Sequence, residues 1–278
     1  MKHKHYLPGS FVDSSDKHVL LVGVGGTGSQ ILTDLARMNQ TLIQLGHKGF
    51  DVDVVDPDVV SETNVGRQLY SMSDIGNYKA VVLTTRLNMF YGTMWQSYTA
   101  KIDRKSVLPK DRYLLVITAV DSAKARLIMA KKIEEAGIPY WLDTGNMAKS
   151  GNVVFGSAKN LFSRQLNSQC PQRLPNVAEL YGDVLKSAAN EAIQPPSCSM
   201  EASLSKQDLF INKAVSTFAM QILWNCFRHG YIDQHGAFID LKNLTVRPLD
   251  VDPDKWKAMG WQQQKVRRKN TIKEGGAI

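Results

Sequence analysis

Cysteine is scarce: Cys170, Cys198 and Cys226 are the three in 278 residues, with no C-x-x-C spacing. An odd, scattered set excludes a disulfide framework and a four-cysteine zinc site within one chain. Long apolar runs are missing too, so no membrane span is expected. The first residues, Met1-Lys2-His3-Lys4-His5-Tyr6-Leu7-Pro8, carry charge but no hydrophobic stretch or cleavage site. No export signal is therefore expected, and a reducing cytoplasm is the expected compartment. Internal repeats are absent, and no histidine stands in a convincing catalytic arrangement. Charge of one sign is confined: nine basic and four acidic residues lie from Lys242 onward, about +5 of the net +8. The near-neutral body argues against a broad nucleic-acid-binding face. What is present is 43% apolar residues, enough for a real core and too many for a disordered chain.

The apolar pattern predicts an α/β fold, a Rossmann-like doubly wound and mostly parallel sheet, with a long crossover loop and a C-terminal helix plus hairpin. Residues 1–17 form a polar lead-in, 18–250 the main domain and 251–278 a basic tail, with the crossover over 157–205. His18–Val22, Phe50–Val55, Tyr113–Thr118 and Pro139–Asp143 are predicted strands, and Asn152–Gly156 one more. Helices are expected over Ser29–Asn39, Lys79–Tyr91, Ser122–Ala136 (stopped by Gly137) and Asp208–Phe227, before a hairpin or edge strand over Phe238–Leu249. The crossover is polar and holds Pro171, Pro175, Pro195 and Pro196. A stretch of that length with little periodicity is functional or mobile.

Gly23-Val24-Gly25-Gly26-Thr27-Gly28 comes after a strand and opens a helix. Glycines let the backbone turn tightly and approach a phosphate, and the helix start offers free N–H groups. Asp56, ending the second strand, is placed to accept hydrogen bonds from ribose hydroxyls. These features alone suit a nicotinamide dehydrogenase. The residues after Asp56 favour ATP instead. Asp56-Pro57-Asp58-Val59-Val60-Ser61-Glu62-Thr63-Asn64-Val65-Gly66-Arg67-Gln68 brings Asn64, Arg67 and Gln68 back over the nucleotide crevice, and Gly76-Asn77-Tyr78-Lys79 puts a lysine at a helix mouth. A triphosphate needs such cations, Arg67 as a fork and Lys79 as a point charge. Asp121, beside Ser122 at a strand end, could share Mg²⁺ with phosphate oxygens. Asp58 reads as a turn residue after Pro57.

The run G-x-G-G-x-G, D-x-D-x-V-x-x-x-N-x-x-R-Q, a Lys, then an Asp on the fourth strand resembles the ThiF/MoeB/HesA family. That family includes the adenylating domains of ubiquitin-activating enzymes. Within it the second half is most similar to the ThiF-like proteins of the plasmid-associated PRTRC cluster. The resemblance implies that Gly23, Gly25, Gly26 and Gly28 cradle the nucleotide, with Asp56 on the ribose. It further implies that Thr63, Asn64, Arg67 and Lys79 handle the triphosphate and that Asp121 lies on the magnesium side, with Ser122 where relatives usually carry Asn. The activity implied is ATP- and Mg-dependent adenylation of the C-terminal carboxylate of a small ubiquitin-like protein.

Relatives that transfer the activated substrate use a cysteine in the crossover, and Pro195-Pro196-Ser197-Cys198-Ser199 matches that place. Cys170 is the rival, near where relatives keep half of a zinc-binding pair missing here; a chain with no catalytic cysteine stays open. Cys226 is read as a core residue. The resemblance also implies a homodimer and a conjugating-enzyme-like partner. Several relatives complete the site with an N-terminal arginine of a neighbouring subunit; here the first arginine is Arg37, so either Lys2, Lys4 or Lys17 substitutes or the site works without it. His3 and His5 are read as parts of an exposed polar terminus. The five tryptophans are assigned to packing or a partner surface. A nucleotide-gated scaffold without catalysis and an NAD-dependent oxidoreductase remain as alternatives.

Overall fold

The computed structural model describes residues 3–12, 17–157, 173–190 and 207–261. Five strands run parallel: β2 (His18–Val22), β3 (Asp51–Val55), β4 (Gln96–Tyr98), β5 (Tyr113–Thr118) and β6 (Tyr140–Asn146). Three more, β7 (Ser150–Ser157), β9 (Gln234–Asp240) and β10 (Thr245–Asp250), continue the sheet antiparallel. The order is β10-β9-β7-β6-β5-β2-β3-β4, with helices on both sides. Val19 to Val22 and Leu115 to Ile117 are buried without alternation, as strands covered on both faces require. The sheet is thus the mostly parallel, Rossmann-like one expected.

Helix α2 (Gly26–Gln44) starts inside the glycine turn and runs beyond the expected Ser29–Asn39. It packs on α7 (Ile211–His229) and on α3 (Lys79–Tyr91). On α4 (Ala123–Ala136) pack α5 (Val177–Leu180) and α6 (Gly182–Asn190). Gly92, Gly137 and Gly230 close α3, α4 and α7 in the left-handed conformation, which costs glycine no Cβ clash.

Three expectations are corrected. The described residues of the polar lead-in join the core: β1 (His5–Tyr6) pairs with β8 (Tyr231–Ile232), and α1 (Gly9–Val12) inserts Phe11 between Tyr140 and Phe227. His5, placed by sequence at an exposed terminus, is fully buried with its Nε2 3.0 Å from the Tyr140 hydroxyl. The pairing partners lie more than 130 residues away, so nothing local announces them. Within the crossover, α5 is capped by Asn176, whose Oδ1 accepts from the N–H groups of Ala178 and Glu179. The first part of the stretch read as a basic tail is folded: α8 (Pro253–Ala258) buries Trp256, and Trp261 packs edge-on against it. Lys265 to Lys269 lie outside the described residues. Trp95 and Trp141 are buried and Trp224 packs on the core.

Candidate functional site

The site gathers where β2, β3 and β5 end. Gly23 takes φ +90°, and a Cβ there would stand 2.7 Å from the Ala119 carbonyl oxygen. At Gly28 a Cβ would stand 1.9 Å from the Gly23 carbonyl oxygen, and at Gly26 2.4 Å from the Asn212 amide. Gly25 is different: a Cβ there meets nothing within 4 Å. Gly28 therefore lets the turn close on itself, Gly23 and Gly26 let Ala119 and Asn212 approach it, and Gly25 faces open space at the helix start, as an incoming phosphate would need.

Asp56 is buried beneath this turn. Its Oδ2 accepts from the Val24 N–H at 2.7 Å and its Oδ1 from the Asp58 N–H at 2.8 Å. Burial raises its pKa above the ordinary aspartate value, against the pull of those two N–H groups and the Lys79 charge. A carboxylate has about four lone-pair sites, so ribose hydroxyls can still be accepted. The Tyr70 hydroxyl donates to the Val24 carbonyl at 2.7 Å and pins the turn from the other side.

Lys79 opens α3 nearly buried, and its Nζ donates to Asp58 Oδ2 at 3.2 Å. Asp58 is more than a turn residue, since it links Asp56 to this lysine. The signal in the sequence was the D-x-D spacing. Asn64 is buried, with its Oδ1 accepting from the Ser61 N–H; the Thr63 and Ser61 hydroxyls are 3.1 Å apart.

Arg67 is half-buried, and burial lowers its pKa. Its Nη1 donates to Gln207 Oε1 (3.3 Å), Gln207 Nε2 to Asn146 Oδ1 (3.3 Å), and Asn146 Nδ2 to Thr27 Oγ1 (3.4 Å). Thr27 Oγ1 in turn donates to Asn212 Oδ1 at 3.0 Å. This chain joins Arg67 to the glycine turn. Two donors within it, Arg67 Nε and Asn212 Nδ2, are buried without a partner among the described residues. Buried orphan donors beside an open glycine fit an anionic ligand.

Asp121 lies just past β5 and is exposed; no described residue bonds to it. Its loop abuts the turn through Ala119 and Val120, the nearest neighbours of Gly23. Ser122 is occupied locally, its Oγ accepting from the Ala125 N–H at 3.0 Å as the cap of α4. Beneath the loop, Arg126 Nη2 donates to the carbonyls of Val120 (2.7 Å) and Thr144 (3.0 Å). Its Nε lies 3.2 Å from the fully buried Asp143, whose pKa burial raises. Thr118 Oγ1 donates to Asp143 as well. Sequence reading missed Asn146, Gln207, Asn212, Arg126 and Asp143, which only the fold brings together.

Among the described residues no group of three or more His, Cys, Asp or Glu could hold a metal, and no helix is long and apolar enough to cross a membrane. Cys198 and Cys170 lie outside the described residues. Cys226 is fully buried, and burial pushes its thiol far above the usual range. Lys4 sits over the Tyr231 ring, and Lys17 Nζ donates to the Val12 carbonyl. Both are committed near the lead-in.

The ThiF family model matches residues 11–256. The chain is 32% identical over 111 residues to the NEDD8-activating enzyme E1 catalytic subunit of Schizosaccharomyces pombe, covering 39% of this chain and 23% of that protein. It is 28% identical over 129 residues to the tRNA threonylcarbamoyladenosine dehydratase of Haemophilus influenzae, covering 44% of each. The chain thus spans less than half the length of these curated relatives. Among solved structures, E. coli MccB has the same fold, with a TM-score of 0.55 at 13% identity over 86% of this chain and 64% of that one. PaaA does too, with a TM-score of 0.55 at 12% identity over 86% and 74%.

Proposed function

The chain belongs to the ThiF family, and from that premise we propose that it activates a carboxylate by adenylation, with ATP as co-substrate. The observation that carries the reading is the hydrogen-bonded link from Arg67 through Gln207 and Asn146 to the glycine turn, with the Arg67 Nε–H still free to donate. A dinucleotide gives that cation no task. A triphosphate does.

A carboxylate oxygen of the substrate attacks the α-phosphorus, the bond to the β-phosphate oxygen breaks, and pyrophosphate leaves. No general base is required, because a carboxylic acid is already ionised at neutral pH. Asp56 orients the ribose, and the N–H groups at the start of α2 face the phosphates. Arg67 and Lys79 stabilise the charge that gathers on pyrophosphate, Lys79 being steadied by Asp58. Asp121 suits Mg²⁺, which when bound supplies further neutralisation. With one carboxylate and no acidic cluster among the described residues, the phosphate oxygens and water would provide its other ligands.

The substrate we propose is the C-terminus of a small ubiquitin-like protein. Similarity to NEDD8-activating subunits supports it. Transfer would come next, when the Cys198 thiolate attacks the acyl carbonyl and AMP departs, before hand-over to a conjugating-enzyme-like partner. A homodimer is part of the same proposal.

The test is ATP–pyrophosphate exchange dependent on an added carboxylate partner. Asp121→Ala should abolish the exchange, and Mg·ATP rather than NAD should protect the chain from proteolysis. Protection by NAD alone would overturn the reading. Nucleotide binding without exchange would leave a nucleotide-gated scaffold. A small protein trapped on Cys198 and lost in Cys198→Ala would establish the transfer step.

A further inference from the structure

A cavity of about 700 Å³ lies between the antiparallel end of the sheet and α5–α6. Its lining includes Asn146 and Arg126. Asn146 donates to Thr27 in the glycine turn, and Arg126 to the Val120 carbonyl one residue before Asp121. The cavity thus shares two side chains with the nucleotide site. Those two side chains are its link to the glycine turn and to the loop that carries Asp121.

Polar side chains such as Asn152 and Thr245 line one part of it, and Val177, Tyr181, Val184 and Phe238 supply apolar wall. The rings of Tyr181 and Phe238 meet edge-on at 6.1 Å, and Val184 is 65% exposed. The charges that line the space are balanced: Arg126 is paired with Asp143, and Arg247 and Asp240 bring opposite signs. Such walls reward an uncharged apolar group. A tail of glycines alone brings no side chain to fill them.

We infer that the substrate carries a bulky apolar side chain close behind its reacting carboxylate, selected by Tyr181, Val184 and Phe238. The inference rests on the adenylation reading and names its substrate more closely.

Two N-acetylated pentapeptides test it, each beginning with three serines, one ending in Phe-Gly and the other in Gly-Gly. They are titrated calorimetrically onto the full chain, with and without a non-hydrolysable Mg·ATP analogue. The Phe-Gly peptide should bind at least about tenfold more tightly, the scale at which apolar pockets discriminate. Val184→Trp, a change at an exposed helix position that fills the cavity, should remove that preference. Tyr181→Ala should reduce it if the tryptophan variant does not fold. Equal binding, binding of neither peptide, or a preference that survives both variants overturns the inference. The Mg·ATP analogue is titrated separately, and its failure to bind overturns the adenylation reading instead.

Discussion

Arg126 and Asp143 form a buried ion pair, 3.2 Å apart, from which the guanidinium also reaches the Val120 carbonyl beside Asp121. The pair sets the height of the loop that presents the proposed metal-side carboxylate. Arg126→Lys keeps the charge but loses the fork that holds Val120 and Thr144 together. Exchange should fall by about a hundredfold, the effect of misplacing a group by an ångström. Its Mg²⁺ requirement should rise while ATP binding without metal is unchanged. A merely structural role would lower the melting temperature and leave the Mg²⁺ dependence as it was. Arg126→Ala, which strands Asp143, should cost about 3–5 kcal/mol in urea unfolding.

The glycine turn separates two kinds of glycine. Gly28→Ala drives a methyl group into the Gly23 carbonyl and should destabilise the fold by about 1–3 kcal/mol or more. In Gly25→Ala the added methyl group meets open space, with no atom within 4 Å. It should destabilise the fold less than Gly28→Ala, because no neighbouring atom has to give way. Yet the methyl group occupies the phosphate approach, so ATP affinity should drop about tenfold or more, a loss of about 1.4 kcal/mol. Unchanged affinity in this variant would place the phosphates elsewhere.

If Asp56 holds the ribose as proposed, nucleotide binding is tied to pH. The raised pKa of Asp56 means that protonation begins at a higher pH than for an ordinary aspartate. ATP affinity should weaken as pH falls through that raised value, and Asp56→Asn should remove this dependence. The stability effect has the opposite sign. The folded carboxyl holds its proton more tightly than the unfolded one, so stability from this residue is greatest in acid and declines as pH rises through the folded value. In Asp56→Asn the amide NH₂ faces a backbone N–H, costing about 1–3 kcal/mol.

His235 acts in reverse. Fully buried, it donates from Nδ1 to the Phe155 carbonyl at 2.8 Å, and burial lowers its pKa to about 4. The unfolded chain takes up this proton near pH 6.5, which the folded chain refuses until about 4. Stability should therefore fall as pH drops through that window, by about 3 kcal/mol in total. Urea midpoints measured from pH 7 to 4 check this. His235→Gln, which keeps a donor for Phe155, should flatten the slope by about one proton.

Local signals made most of the parallel half legible. Helix α3 and strand β5 fall on the bounds read from sequence, because Gly92 and a short apolar run announce them. The turn glycines and Asp56 were readable for the same reason: their chemistry is contained in a few consecutive residues. Asn146, Gln207 and Asn212 were not, since polar residues 61 to 66 positions apart share no spacing rule. Residues 5–12 escaped because a two-residue strand has no periodicity and gains its partner only on folding. The Asn176–Glu179 capping box was a local signal, overlooked among prolines and polar residues.

Gly26 lies against Asn212, so one wall of the glycine turn comes from α7. During synthesis the glycine loop leaves the ribosome early, while that wall arrives only after most of the chain has been made. A nascent or truncated product would own the loop yet lack the wall that Asn212 provides.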